Sequence, residues 1–231
     1  MFRFTTVLFL ACASLTGCAA LQPTPMYRLD NGTSGVPAQT DGAAVLLGPV
    51  VLADYLRRDA LLQRLPDGSL AADGQRARWA GSLQDDIDQL LLRQLAWRLK
   101  TQSLEMSPGS KGFAPDVRVE VDITRLDSGP EHPAVLEAQW RLLDKKGKRH
   151  TSRLVRLQEA HLGSTADQIR AQSELLQRMS KLMAEAIEPM LVAQARVKRN
   201  IVKAPSVKQE EVVPGIPSAK PIQAEMEVFR F

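Results

Sequence analysis

Val117, Val119, Val121 and Ile123 alternate with Arg118, Glu120, Asp122 and Thr124. A period of two marks a strand with one buried and one wet face. Leu136, Ala138, Trp140 and Leu142 repeat the pattern against Glu137, Gln139 and Arg141. The loop Asp144-Lys145-Lys146-Gly147-Lys148 then turns the chain into a third strand over Thr151 to Leu157. Three consecutive strands with short connections predict an antiparallel meander.

Two stretches carry helical periodicity. Gly81 to Lys100 is the clearer one. Ser82 can cap it, Asp85, Asp86 and Asp88 lie near its positive end, and Arg93, Arg98 and Lys100 lie near its negative end. Leu83, Ile87, Leu90, Leu91 and Leu95 form one buried stripe. Leu92 and Trp97 fall off that stripe, so they meet another element of the domain or face a partner. A second helix starts near Ser164 or Thr165, with Ile169, Leu175, Leu176, Met179, Leu182, Met183 and Ile187 as its stripe. Those methionines suit either plain core or an adaptable groove. Pro189 lacks the amide a helix interior needs and is expected to stop or kink the helix.

Earlier in the chain, Tyr27-Arg28-Leu29 reads as a first edge strand and Asn31 to Gly42 as a loop. Ala43 to Leu52 is apolar on both faces, as in a central strand, with Gly48-Pro49 ending or bulging it. Ala60 to Leu65, closed by the turn Pro66-Asp67-Gly68, begins a hairpin whose return strand is expected over Arg76 to Trp79.

The N-terminus fixes where such a fold would work. Arg3 followed by an apolar run through Ala13 reads as a secretory signal. The run is about half the roughly 20 residues needed to span a bilayer. Leu15-Thr16-Gly17-Cys18 then resembles a bacterial lipobox. In such signals the cut falls after the glycine, and the new N-terminal cysteine takes a diacylglycerol thioether and an N-acyl chain. Each buried methylene contributes about 0.8 kcal/mol, and two acyl signals suffice for stable anchoring. Cys18 is therefore the expected lipidation site, and the one other cysteine, Cys12, is discarded with the signal. The mature chain then has no thiol left to pair, and its domain must be stable through its core. Because Ala19, not aspartate, follows the cysteine, the expected place is the outer membrane, on its periplasmic face.

This divides the 231 residues into a signal (1–17), a leash (18–26), one body of ordinary domain size (27–194) and a tail (195–231). The tail is rich in Lys, Val, Pro and Glu, has prolines at 205, 214, 217 and 221, and reads as disordered. Its last residues, Val228-Phe229-Arg230-Phe231, alternate aromatics in a way that suits strand addition to a partner's sheet edge. The chain holds 30 basic and 26 acidic residues. One basic residue lies in the signal, and the tail has seven basic against four acidic, so the body is neutral. No folded basic face is implied, and no nucleic-acid partner is expected.

Several phrases in order resemble a known family. Leu47-Gly48-Pro49-Val50 with Ala53-Asp54-Tyr55-Leu56, Arg78-Trp79-Ala80 with Leu83, Val119-Glu120-Val121-Asp122, and Ala138 through Asp144 are similar to segments of ABC-type transport auxiliary lipoproteins, the PqiC-like group. The likeness runs from about Tyr27 to Ile187, although Asp59 stands where that family often has proline. The resemblance implies a single α+β domain with two principal helices packed against a mainly antiparallel sheet. It also implies the accessory role at the outer membrane in an intermembrane lipid-transport system whose partner carries MCE domains. A ring-like homo-oligomer would suit an acceptor for a tubular conduit.

Catalytic signatures are missing. His132, His150 and His161 have no metal-ligand spacing, and no nucleophile elbow, phosphate loop or dinucleotide turn occurs. The three aspartates at the start of the first helix are accounted for by its dipole. No enzyme, cofactor or metal is expected. Docking through Tyr55, Trp79 or Trp97 competes with a core role for each. The alternatives to a docking module are a periplasmic lipid carrier, with an apolar groove between helix and sheet, and a structural or assembly lipoprotein without cargo.

Overall fold

The computed structural model describes residues 23–203 apart from 33–34, 41 and 73–76, and of 197–203 the backbone alone. Among them the strands are β1 (Met26–Tyr27), β2 (Val45–Leu52), β3 (Leu62–Arg64), β4 (Leu70–Ala72), β5 (Arg78–Trp79), β6 (Leu104–Met106), β7 (Val117–Gly129), β8 (His132–Asp144) and β9 (Arg149–Glu159). The helices are α1 (Leu83–Leu99) and α2 (Thr165–Lys203), with a 3-10 turn over Asp54–Arg57.

β7 is the spine. It pairs antiparallel with β8, which pairs antiparallel with β9, so the expected meander is present. Its other edge takes β2, and β2 takes β6, both in parallel register. Past the end of β2 the same edge meets β3, which pairs antiparallel with β4. The sheet is therefore mixed, within an α+β domain. Apolar residues on both faces mark β2 as central but say nothing of its direction.

Register along β2 slips between Leu47 and Val50, so Gly48-Pro49 bulges the strand and does not end it. Gly48 takes φ 107°, a conformation that favours glycine. At Gly129 the constraint is space: a Cβ there would lie 1.9 Å from the carbonyl oxygen of Arg64, where β3 crosses.

The hairpin after Ala60 differs from expectation. The returning strand is β4, directly after the turn, and not Arg76 to Trp79. Asp67 Oδ1 accepts from the Ser69 amide at 2.8 Å and from its hydroxyl at 2.6 Å, so the turn closes at once and Leu70 is already paired. Arg78 and Trp79 pair in parallel with Met26 and Tyr27, and of the expected hairpin pairing only one antiparallel bridge forms, Arg78 with Ala60. Arg76 lies outside the described residues.

Both helices cover one face of the sheet. Val117, Val119, Val121, Leu136, Ala138, Trp140 and Leu142 meet Ile87, Leu90, Leu91, Leu95, Leu175, Leu176, Met179 and Met183 in one core. The methionines are core. The opposite face is wet and carries an ionic ladder, with Arg141 3.1 Å from Asp122 and Arg156 3.0 Å from Glu137. α1 is capped as its sequence suggests: Ser82 Oγ accepts from the Asp85 amide, and Lys100 ends the helix in a left-handed conformation.

At the start of α2, Ser164 Oγ accepts from the Asp167 amide and donates to its carboxylate. Pro189 does not end α2, which runs on to Lys203. Its ring lies on an exposed position, while Ile187, Met190 and Leu191 on either side pack against the core and hold the helix. A single missing amide bond is tolerated where packing continues.

Candidate functional site

Pro25 to Asn31, where the expected leash passes into the body, is gripped along its length. The carbonyls of Pro25 and Tyr27 accept from the amides of Arg78 and Ala80 at 3.2 and 2.8 Å. Arg28 donates to Asp86 Oδ1 through Nε at 2.9 Å and Nη2 at 2.6 Å, and the Leu29 amide donates to Asp86 Oδ2. Asp86 sits in the first turn of α1, where the helix dipole also favours a carboxylate. From α2, Ser173 Oγ accepts from the Asp30 amide and Gln177 donates to the Asp30 carbonyl. Gln94 of α1 donates to the Asn31 carbonyl at 2.7 Å. Leu29 drops into the core between these bonds.

The three aromatic docking candidates have different fates. Trp79 is buried in the core. The Tyr55 hydroxyl donates to Asp127 at 3.3 Å and accepts from the Leu126 amide. Asp127 is itself 1% exposed and holds Arg64 at 2.7 Å and Arg125 at 3.1 Å. Burial alone would push its carboxyl up, but the bonds from the two guanidinium groups bring it below the usual carboxylate range. That cluster closes on itself and locks β3 to β7.

Trp97 remains 45% exposed at the C-terminal end of α1. Its ring borders an open groove of about 600 Å³ between the 35–39 loop, the end of α1 and the middle of α2. Val36, Pro37, Ala38, Trp97 and Ala184 give the groove an apolar lining. Arg98, Lys100 and Lys181 stand around it with Glu185 and Glu188. The Arg98 guanidinium lies 5.3 Å from the Trp97 ring, and its Nε is buried without a hydrogen-bond partner. Sequence marked Trp97 as off-stripe but gave no sign of the groove, because the wall at 35–39 lies in a loop without periodicity.

The remaining polar candidates stay apart. Asp86 is spent on Arg28, Asp85 is exposed, and the half-buried Asp88 accepts from Gln84 at 2.9 Å. Burial pushes the Asp88 carboxyl up to about 6. His161 Nε2 contacts the His132 carbonyl at 2.9 Å, and His150 contacts Asp144 at 3.2 Å. Among the described residues no cluster of His, Cys, Asp or Glu could hold a metal ion, and no helix is long and apolar enough to cross a membrane. Cys18 and Val228 to Phe231 lie outside the described residues.

The body's charge is neutral in sum yet uneven in space. Lys145, Lys146, Lys148 and Arg149 all project exposed from the β8–β9 turn, without an ion pair among the described residues. The cluster belongs to one hairpin turn, the basic loop Asp144 to Lys148 of the sequence, and does not extend over a face of the sheet.

A helix pair laid over one face of a mixed sheet, with the segment Pro25 to Asn31 bound across both helices, defines the class: a single α+β domain. Within that class the chain belongs to the family of ABC-type transport auxiliary lipoprotein components, whose model matches residues 27–184. The family is associated with transport at the cell envelope and is not a known enzyme class. The fold is similar to a crystal structure of an uncharacterized protein, 15% identical with a TM-score of 0.59, covering 72% of this chain and 99% of that one. It is also similar to protein XCC0632 from Xanthomonas campestris, 15% identical with a TM-score of 0.54, covering 76% and 97%. No curated protein matches the chain.

Proposed function

We propose that this protein is the outer-membrane accessory of an ABC-type intermembrane lipid-transport system, acylated at Cys18 and docking an MCE-domain partner from the periplasmic side. The observation that carries the reading is the grip on Pro25 to Asn31. Between Cys18 and Pro25 the chain reaches at most about 25 Å. An anchor on Cys18 would therefore hold a rigid body close to the bilayer, and not trail it on a long tether. Anchoring raises the local concentration of the docking face without any new contact. Family membership supports the transport role, and the signal with its lipobox-like Leu15 to Cys18 supports the anchor.

The test is fractionation of cells producing the full chain and its Cys18→Ser variant. The wild type should partition with outer membranes and the variant should lose acylation and leave them. A variant that still sediments with membranes would defeat the anchoring. Co-purification of the wild type with the MCE component of its own system tests the docking separately, and its absence in crosslinked envelopes would defeat that part alone.

A further inference from the structure

The groove beside Trp97 has the chemistry of a ligand site independent of the anchor. Its volume of about 600 Å³ lies within the range of about 300–1,000 Å³ usual for small-molecule sites. Val36 is 84% exposed and Trp97 45%, so two large apolar side chains face water along one trough. Ala184, nearly buried on α2, also lines it.

The charge at the trough is unsatisfied in a specific way. Arg98 has no carboxylate in ion-pair range among the described residues, and its Nη2 makes only a long 3.4 Å contact with the Gln177 carbonyl. Burial lowers its pKa, against the raising effect of Glu185. A guanidinium partly stripped of water, with Glu185 near it but not in ion-pair contact, gains from an anion that can reach it directly. Lys100 adds a second cation, while Lys181 is already 3.9 Å from Glu185.

We infer that this groove binds a single acyl chain carrying a monoanionic head, with the chain along Trp97, Val36 and Ala184 and the head against Arg98 and Lys100. The apolar lining selects a hydrocarbon, and the cations select the sign of its head. Glu185 and Glu188, also at the groove, leave three cations against two carboxylates, which favours one negative charge over two. A fatty-acid carboxylate has this form. Neutral or cationic amphiphiles would leave Arg98 unpaired.

The chain from Ala19 to Phe231 suits the test, because among the described residues the core and the side chains packed on it lie between Tyr27 and Leu191. Of its tryptophans, Trp79 and Trp140 are 7% and 0% exposed, so Trp97 is the accessible reporter. Titrated below its micellar concentration, bromine-bearing stearate should quench Trp97 saturably. A bromine-bearing alkylammonium of equal length should bind about tenfold more weakly, through loss of the charge-assisted contact. Arg98→Gln should weaken stearate by a similar factor and Arg98→Lys should restore part of it. Val36→Asp, at an exposed position, should weaken it with an unchanged melting curve. In Trp97→Phe the quenching should vanish.

No saturable quenching, equal binding of the two amphiphile charges, or quenching that survives Trp97→Phe would overturn the assignment. So would quenching only by a bromine-bearing phosphatidylglycerol in phosphatidylcholine vesicles, which would point to a two-chain lipid. None of these outcomes bears on acylation of Cys18.

Discussion

Asp88 and Asp127 show how two like residues are driven in opposite directions. Asp127 is held ionised by Arg64 and Arg125 despite its burial. Asp88 has no ion pair among the described residues, only the amide of Gln84, and burial with the nearby charge of Asp85 lifts its carboxyl to about 6. Between an unfolded value of about 4 and that folded value, the native state keeps a proton that the unfolded chain has lost. Stability from this group therefore falls as pH rises through that window and is level above it. Asp88→Asn should raise the melting temperature near about pH 7.5 and make little difference near about pH 4, because only the ionised form is penalised. Equal shifts at both pH values, in thermal scans followed by circular dichroism, would contradict this. The sequence marked Asp88 only as one of three aspartates at the start of a helix, and Asp127 not at all. Arg64 lies 63 positions from Asp127, and only the fold brings them together.

At the scale of elements, periodicity was a good guide wherever one face is dry and the other wet. The β7–β9 meander and the stripe of α1 are both where their patterns put them, with Leu83, Ile87, Leu90, Leu91 and Leu95 all buried. It was a poor guide to partners. Nothing in the residues of β2 distinguishes a parallel neighbour from an antiparallel one, and the two-residue β5 is too short to carry a period. Pro189 misled for a related reason: local backbone chemistry was outweighed by the packing of Ile187, Met190 and Leu191. Gln194 donates to the Asp116 carbonyl, and the next two residues, Ala195 and Arg196, are exposed. Truncation after Gln194 should thus leave the melting temperature within about 3 °C, the shift expected for under about 1 kcal/mol in a domain of this size. A larger fall would mean that residues past 194 pack on the body.

Considered whole, the molecule's family was readable from phrases scattered along it, since those phrases are the buried strands and the entry to α1. The groove was not, because it is assembled from a loop and two helix faces that no local pattern links. The grip on the N-terminal segment was equally hidden, being made by side chains of α1 and α2 that read as ordinary polar helix positions. Asp86→Ala should loosen it: the exposed Arg28 loses the carboxylate it pairs with among the described residues, and trypsin should cut the Arg28–Leu29 bond faster than in the wild type. Unchanged proteolysis at that bond would show that the remaining contacts suffice. A tug on the front end of the polypeptide would be resisted first by seams tying that strip to two helices, well before any strand of the main sheet felt the load. That arrangement suits the proposed anchor, since a load entering there meets the helices before the sheet.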